Sequence, residues 1–154
     1  MDIIRRIITL LYSDQHKNFS VLFPGDISIA AEKEFTRRVE NPLSTLLLAP
    51  HHGSKTSNSP AFLKAVHPSY LIVSAGRNKL KYFPDPGLES LCNRNKIVML
   101  TTARNGTVEV NTNGEHFTIL RYSRSAKGPL PSGLVVKAVA EELVVQPGYP
   151  AATH

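Results

Sequence analysis

The stretch Leu46–Pro60, LLLAPHHGSKTSNSP, decides how this chain folds. Its leucines belong to a continuous apolar run, Ser44–Ala49, as expected of a strand buried on both faces. Its far end is a helix start, with Ser59 as N-cap and Pro60 at the first helical position. The helix is predicted to reach about Val66, where His67-Pro68 stops it. Between strand and helix lies a polar loop, His51–Asn58. Strands that alternate with helices in this way build an α/β sheet. The loop opens on two adjacent imidazoles, His51 and His52, followed by Gly53. They are either a ligand site or a polar loop in which one histidine bonds to backbone. Neighbours on a strand point to opposite faces, so one of the two at most is expected to meet a given metal.

Working outward, Ile7–Tyr12 is apolar and reads as a first strand, Ser13–Asn18 (SDQHKN) as a polar turn, and Phe19–Phe23 as the second strand of a hairpin. Pro24-Gly25-Asp26 ends that strand sharply. Ser28–Val39 reads as a helix, with Ser28 as cap, glutamates early and arginines late, and Ile29, Phe35 and Val39 toward the core. Asn41-Pro42 breaks it. Downstream, Tyr70–Gly76 is a buried strand, Arg77–Phe83 a basic and aromatic loop, Pro86–Asn93 a short helix and Lys96–Leu100 a strand. Asn105-Gly106 and Asn113-Gly114 are hairpin signals around alternating strands. The prediction is an α/β (or α+β) domain over 1–121, a mixed sheet flanked by helices, with ligand-bearing loops at the carboxyl ends of the strands. Residues 122–154 read as a linker and a poorly defined tail; Leu134–Val145 suits a short helix or a strand.

The 154 residues are 42% hydrophobic and 19% charged, the balance of one globular domain. The formal charge of +6 and pI of about 9.6 favour an anionic partner. Cys92 is the only cysteine, which excludes an internal disulfide and a cysteine-built zinc site. No apolar run reaches the roughly 20 residues that span a bilayer, so the chain as given reads as soluble and makes no membrane contact of its own.

Asp26 follows a strand and a Pro-Gly turn; it is a candidate ligand, or else a turn aspartate or helix cap. Histidine with carboxylate is the mixture that Zn²⁺ or Mn²⁺ accepts. Ser54, Lys55 and Thr56 offer hydroxyls and an ammonium before a helix N-terminus, which suits an anion or a solvated loop. Arg77, Lys79 and Lys81 lie near Tyr82 and Phe83, a pattern that suits single-stranded nucleic acid or a solvated loop with anchoring aromatics.

The strings FSVLFPGDIS, LLLAPHHGSKTSNSPAFLKAVHPSYLIVSAGRN and NGTVEV together resemble the C-terminal half of a metallo-β-lactamase-fold domain. The resemblance is nearest to the hydrolase domain of ComEC-type DNA-uptake (competence) proteins and covers roughly residues 7–121. It implies an αββα sandwich with a divalent metal, Zn²⁺ or Mn²⁺, at one sheet edge. Asp26, His51 and His52 would then be catalytic metal ligands, one histidine of the pair binding directly. It implies metal-assisted attack of water on a phosphodiester, with DNA as substrate, in bacteria, where the parent family is a membrane protein of the cell envelope.

Two departures limit this. The family's main HxHxDH or HxDxDH cluster lies upstream of the Gly-Asp turn, and before Asp26 this chain has only His16. Where the family often carries His-Pro-His-Pro, this chain has Phe83-Pro84-Asp85-Pro86, with Asp85 as a substitute acceptor. The chain therefore reads as a hydrolase fragment with little activity alone. The alternatives are a degenerate basic nucleic-acid-binding module and a small protein whose partner chain supplies the remaining ligands. A sheet lacking the first half of the fold would expose an apolar face, so self-association is expected.

Overall fold

The computed structural model describes residues 12–16, 18–76, 83–123 and 139–145. The expected strand start at Ile7, the 77–82 loop and the linker fall outside them.

The chain forms a mixed sheet of five strands in the order β1-β2-β3-β4-β5. These are β1 (Tyr12–His16), β2 (Phe19–Phe23), β3 (Leu46–Leu48), β4 (Tyr70–Val73) and β5 (Val98–Thr101). β1 and β2 are antiparallel; every later pair is parallel. The expected polar turn at Ser13–Asn18 is instead mostly strand. The pairing Tyr12↔Phe23 through His16↔Phe19 leaves two residues to turn the chain. A strand that is outermost among the described residues tolerates such polar side chains.

Three helices cross between the parallel strands: α1 (Ile29–Arg38), α2 (Pro60–Val66) and α3 (Pro86–Arg94). Strand order follows chain order, so right-handed crossovers put all three on one face of the sheet. Leu22, Leu47, Leu71 and Val73 meet Phe35, Phe62, Leu63, Val66, Leu88 and Cys92 there. The next residue along each strand faces the other way. Phe19, Leu46, Tyr70, Ile72 and Leu100 pack with Phe117 and Ile119 of a second sheet. Burial on both sides is why β3 and β4 read as unbroken apolar runs.

α1 differs from expectation at its core face. Phe35 is buried and touches Phe62 edge-on, with ring centroids 5.8 Å apart. Ile29 and Val39 are exposed at 36% and 37%, and the buried partner of Phe35 is Glu32. Glu32 and Phe35 are three apart and share a stripe, while Val39 lies past the helix end in extended conformation.

The second sheet contains β6 (Thr107–Thr112), β7 (Phe117–Ser123) and β8 (Val139–Val145), all antiparallel. Asn113-Gly114 turns β6 into β7 as predicted. Asn105-Gly106 makes no hairpin; it ends a one-turn helix, α4 (Thr102–Asn105), because β5 and β6 belong to different sheets. The stretch Leu134–Val145, readable as helix or strand, contains the strand β8. Between the two sheets a cleft of about 370 Å³ stays open, lined by Phe19, Val21, Phe23, Leu48, Val108 and Val110 among others.

Candidate functional site

The carboxyl ends of β2, β3 and β4 converge, and their loops carry the chemistry. After β2, Gly25 takes φ 65 and presents Asp26 to solvent. After β3, Pro50–Gly53 forms a tight turn in which His51 (φ 48) and His52 (φ 55) are both left-handed. For residues with a β-carbon that conformation costs roughly 1–2 kcal/mol each. Backbone bonds hold the turn against both neighbours. His51 N–H donates to Gly25 O at 3.1 Å, and Asp85 N–H donates to Gly53 O at 2.9 Å.

The two imidazoles diverge, though on a turn rather than on a strand; their centroids are 6.5 Å apart. His52 Nδ1 lies 2.7 Å from Ser74 O at the end of β4. A carbonyl only accepts, so Nδ1 carries a proton, and in the neutral ring Nε2 is left with the lone pair. That Nε2 stands 4.0 Å from Asp26 Oδ1. Both side chains are more than half exposed, so the pair adds little to stability. His51 turns the other way, its Nδ1 3.4 Å from Thr56 Oγ1. Phe83 lies beside both rings, with centroids 6.4 Å from each.

Ser54 and Thr56 share a hydroxyl contact of 3.0 Å, and Lys55 is exposed. The amides just ahead of α2 are taken by Glu32, whose carboxylate accepts from Asn58 N–H and Ser59 N–H. Asp85 caps α3, accepting from Gly87 N–H at 3.0 Å. Arg77, Lys79 and Lys81 lie outside the described residues. Sequence reasoning did not find Ser74 or Glu32: one acts through its backbone, and the other reads as an ordinary early-helix acid.

Among the described residues no three His, Cys, Asp or Glu side chains come together as a metal site. The donors that do meet, a carboxylate oxygen and a free imidazole nitrogen, are of the right kind for a borderline divalent cation. A backbone carbonyl on the far ring nitrogen is the usual support of a ligating histidine. The chemistry of Asp26 and His52 therefore fits such an ion as two of its ligands.

The chain is 32% identical over 90 residues to ComE operon protein 3 of Bacillus subtilis (strain 168), covering 58% of this chain and 12% of that protein. It is 38% identical over 98 residues to Recombination protein 2 of Haemophilus influenzae, covering 64% and 12%. Competence protein ComA of Neisseria gonorrhoeae is 30% identical over 91 residues, covering 58% and 13%. The chain is similar to competence-related proteins. It spans about an eighth of the length of these relatives. No protein-family profile matches it. No helix among the described residues is long and apolar enough to cross a membrane.

Proposed function

We propose that this chain carries part of the site of a metal-dependent phosphodiesterase, related to the DNA-degrading domain of competence DNA-uptake proteins, with Asp26 and His52 as metal donors. The observation that carries the reading is His52 itself. Ser74 O fixes its tautomer, and its free Nε2 faces the carboxylate of Asp26 at 4.0 Å. A divalent ion such as Zn²⁺ or Mn²⁺, when bound, supplies Lewis-acid polarisation of a phosphoryl oxygen. Asp26 contributes negative charge, and His52 a neutral nitrogen held in one orientation. His51 lies outside this pair; it is proposed, with Ser54, Lys55 and Thr56, to contact a substrate phosphate. The similarity to competence-related proteins supports a DNA substrate.

Catalytic zinc sites take about three protein ligands and a water. Asp26 and His52 are two, so the chain alone is proposed to have little or no nuclease activity until further donors are supplied.

Calorimetric titration with Mn²⁺ or Zn²⁺ tests the assignment. Asp26→Ala and His52→Ala are each expected to weaken binding about tenfold or more, and His51→Ala much less. Unchanged affinity in both of the first two variants removes the assignment.

A further inference from the structure

Glu32 is the one charged side chain that is buried among the described residues, at 0% exposure. It sits in the first turn of α1, yet it serves another segment. Its Oε1 accepts from Asn58 N–H and its Oε2 from Ser59 N–H at 2.9 Å. Asn58 is itself buried and left-handed, with φ 63. Its amide Nδ2 reaches back to donate to Pro50 O at 3.0 Å and to Ser54 O at 3.4 Å. Pro50 is the residue before His51. A chain of hydrogen bonds thus runs from the Glu32 carboxylate, through Asn58, to the start of the histidine turn. Two further bonds tie the same loop to the entry of α1: Ser57 Oγ donates to Ile27 O at 2.6 Å, and Ile29 N–H donates to Thr56 O at 3.1 Å.

A buried carboxylate is a poor way to stabilise a fold, because desolvation offsets most of its attraction. An apolar side chain would fill the same space between α1 and α2. What a carboxylate adds is direction: two acceptors that fix two amides. The segment so fixed leads to consecutive left-handed residues, a conformation that persists only when its surroundings impose it.

We infer that Glu32 is a positioning residue, which holds Asn58 and through it locks the His51-His52 turn so that His52 faces Asp26. Its consequence for metal binding rests on the reading of Asp26 and His52 as donors; its consequence for the orientation of His52 does not.

The test uses the full chain with Glu32→Gln, which keeps size and one acceptor, and Asn58→Gly, which keeps the left-handed backbone but removes the amide to Pro50. The readouts are the ¹⁵N NMR signals of the His52 imidazole, Zn²⁺ affinity by calorimetry, and the urea midpoint. Both variants are expected to fold, to shift or broaden the His52 ring signals, and to bind Zn²⁺ about tenfold more weakly, the usual cost of losing support behind a ligand. If a folded variant keeps wild-type ring signals and wild-type affinity, Glu32 is only structural and the inference is overturned. If the wild type does not bind Zn²⁺, the donor reading fails by itself, and the ring signals alone decide Glu32: altered signals support it, unaltered signals overturn it. If Glu32→Gln does not fold, Asn58→Gly decides by the same signals.

Discussion

At Gly53 the backbone turns with φ 77, and a β-carbon placed there would lie 2.8 Å from the β-carbon of Pro84. The left-handed angle only disfavours other residues, as His51 and His52 beside it show, but the contact leaves no room for a β-carbon, which explains why a glycine follows the histidine pair. Gly53→Ala is expected to lose about 2–4 kcal/mol of stability, from backbone strain plus overpacking. A urea denaturation midpoint equal to wild type would show that the 83–85 segment moves aside freely. At this scale the sequence was informative about residue type and silent about partners. Asp26 and His52 were readable as candidates because a carboxylate and an imidazole after neighbouring strands are donors that a borderline divalent cation accepts. That His52, rather than His51, faces Asp26 depends on two left-handed angles and on the carbonyl of Ser74. No local pattern encodes these.

The helices show the same division. α2 was legible from Ser59-Pro60 to His67 because capping and proline effects act within a few residues; Ser59 Oγ accepts from Phe62 N–H at 3.3 Å. α1 was legible in extent but not in its buried face, because Glu32 is buried by a partner from a loop some 26 positions away. α3 buries Leu88 and Cys92, four apart, against the sheet. Burial, helped by the charge of Glu89, pushes the Cys92 thiol up to about 11 from an ordinary 9.0. In the unfolded chain the thiol ionises first, so its contribution to stability is complete below about pH 9 and is lost as pH rises toward 11. Cys92 is therefore expected to resist iodoacetamide at pH 8 in the folded chain and to react on addition of urea. Rapid alkylation without denaturant would mean that α3 does not hold against the sheet.

At the scale of the molecule, among the described residues, one face of the main sheet is closed by helices and the other only in part by β6, β7 and β8. Phe23 and Val98 remain 38% and 43% exposed. Self-association at micromolar concentration through this apolar surface is the expected outcome, as for a sheet face left partly uncovered. Phe23→Lys is expected to shift sedimentation toward monomer, whereas a monodisperse wild-type monomer with cooperative unfolding would count against a partly covered fold. The sequence by itself determined the alternation of strands and helices, the capped entry to α2 and the short menu of candidate donors. These rest on interactions that span a few residues, so local pattern carries them. Tertiary structure alone decided that the polar Tyr12–His16 run is strand, that Asn105-Gly106 ends a helix instead of turning a hairpin, and that Glu32 serves the loop ahead of α2. It alone also brought His52 to Asp26. The loops that carry them lie far apart in sequence and meet only because β2 and β3 are neighbours in the sheet.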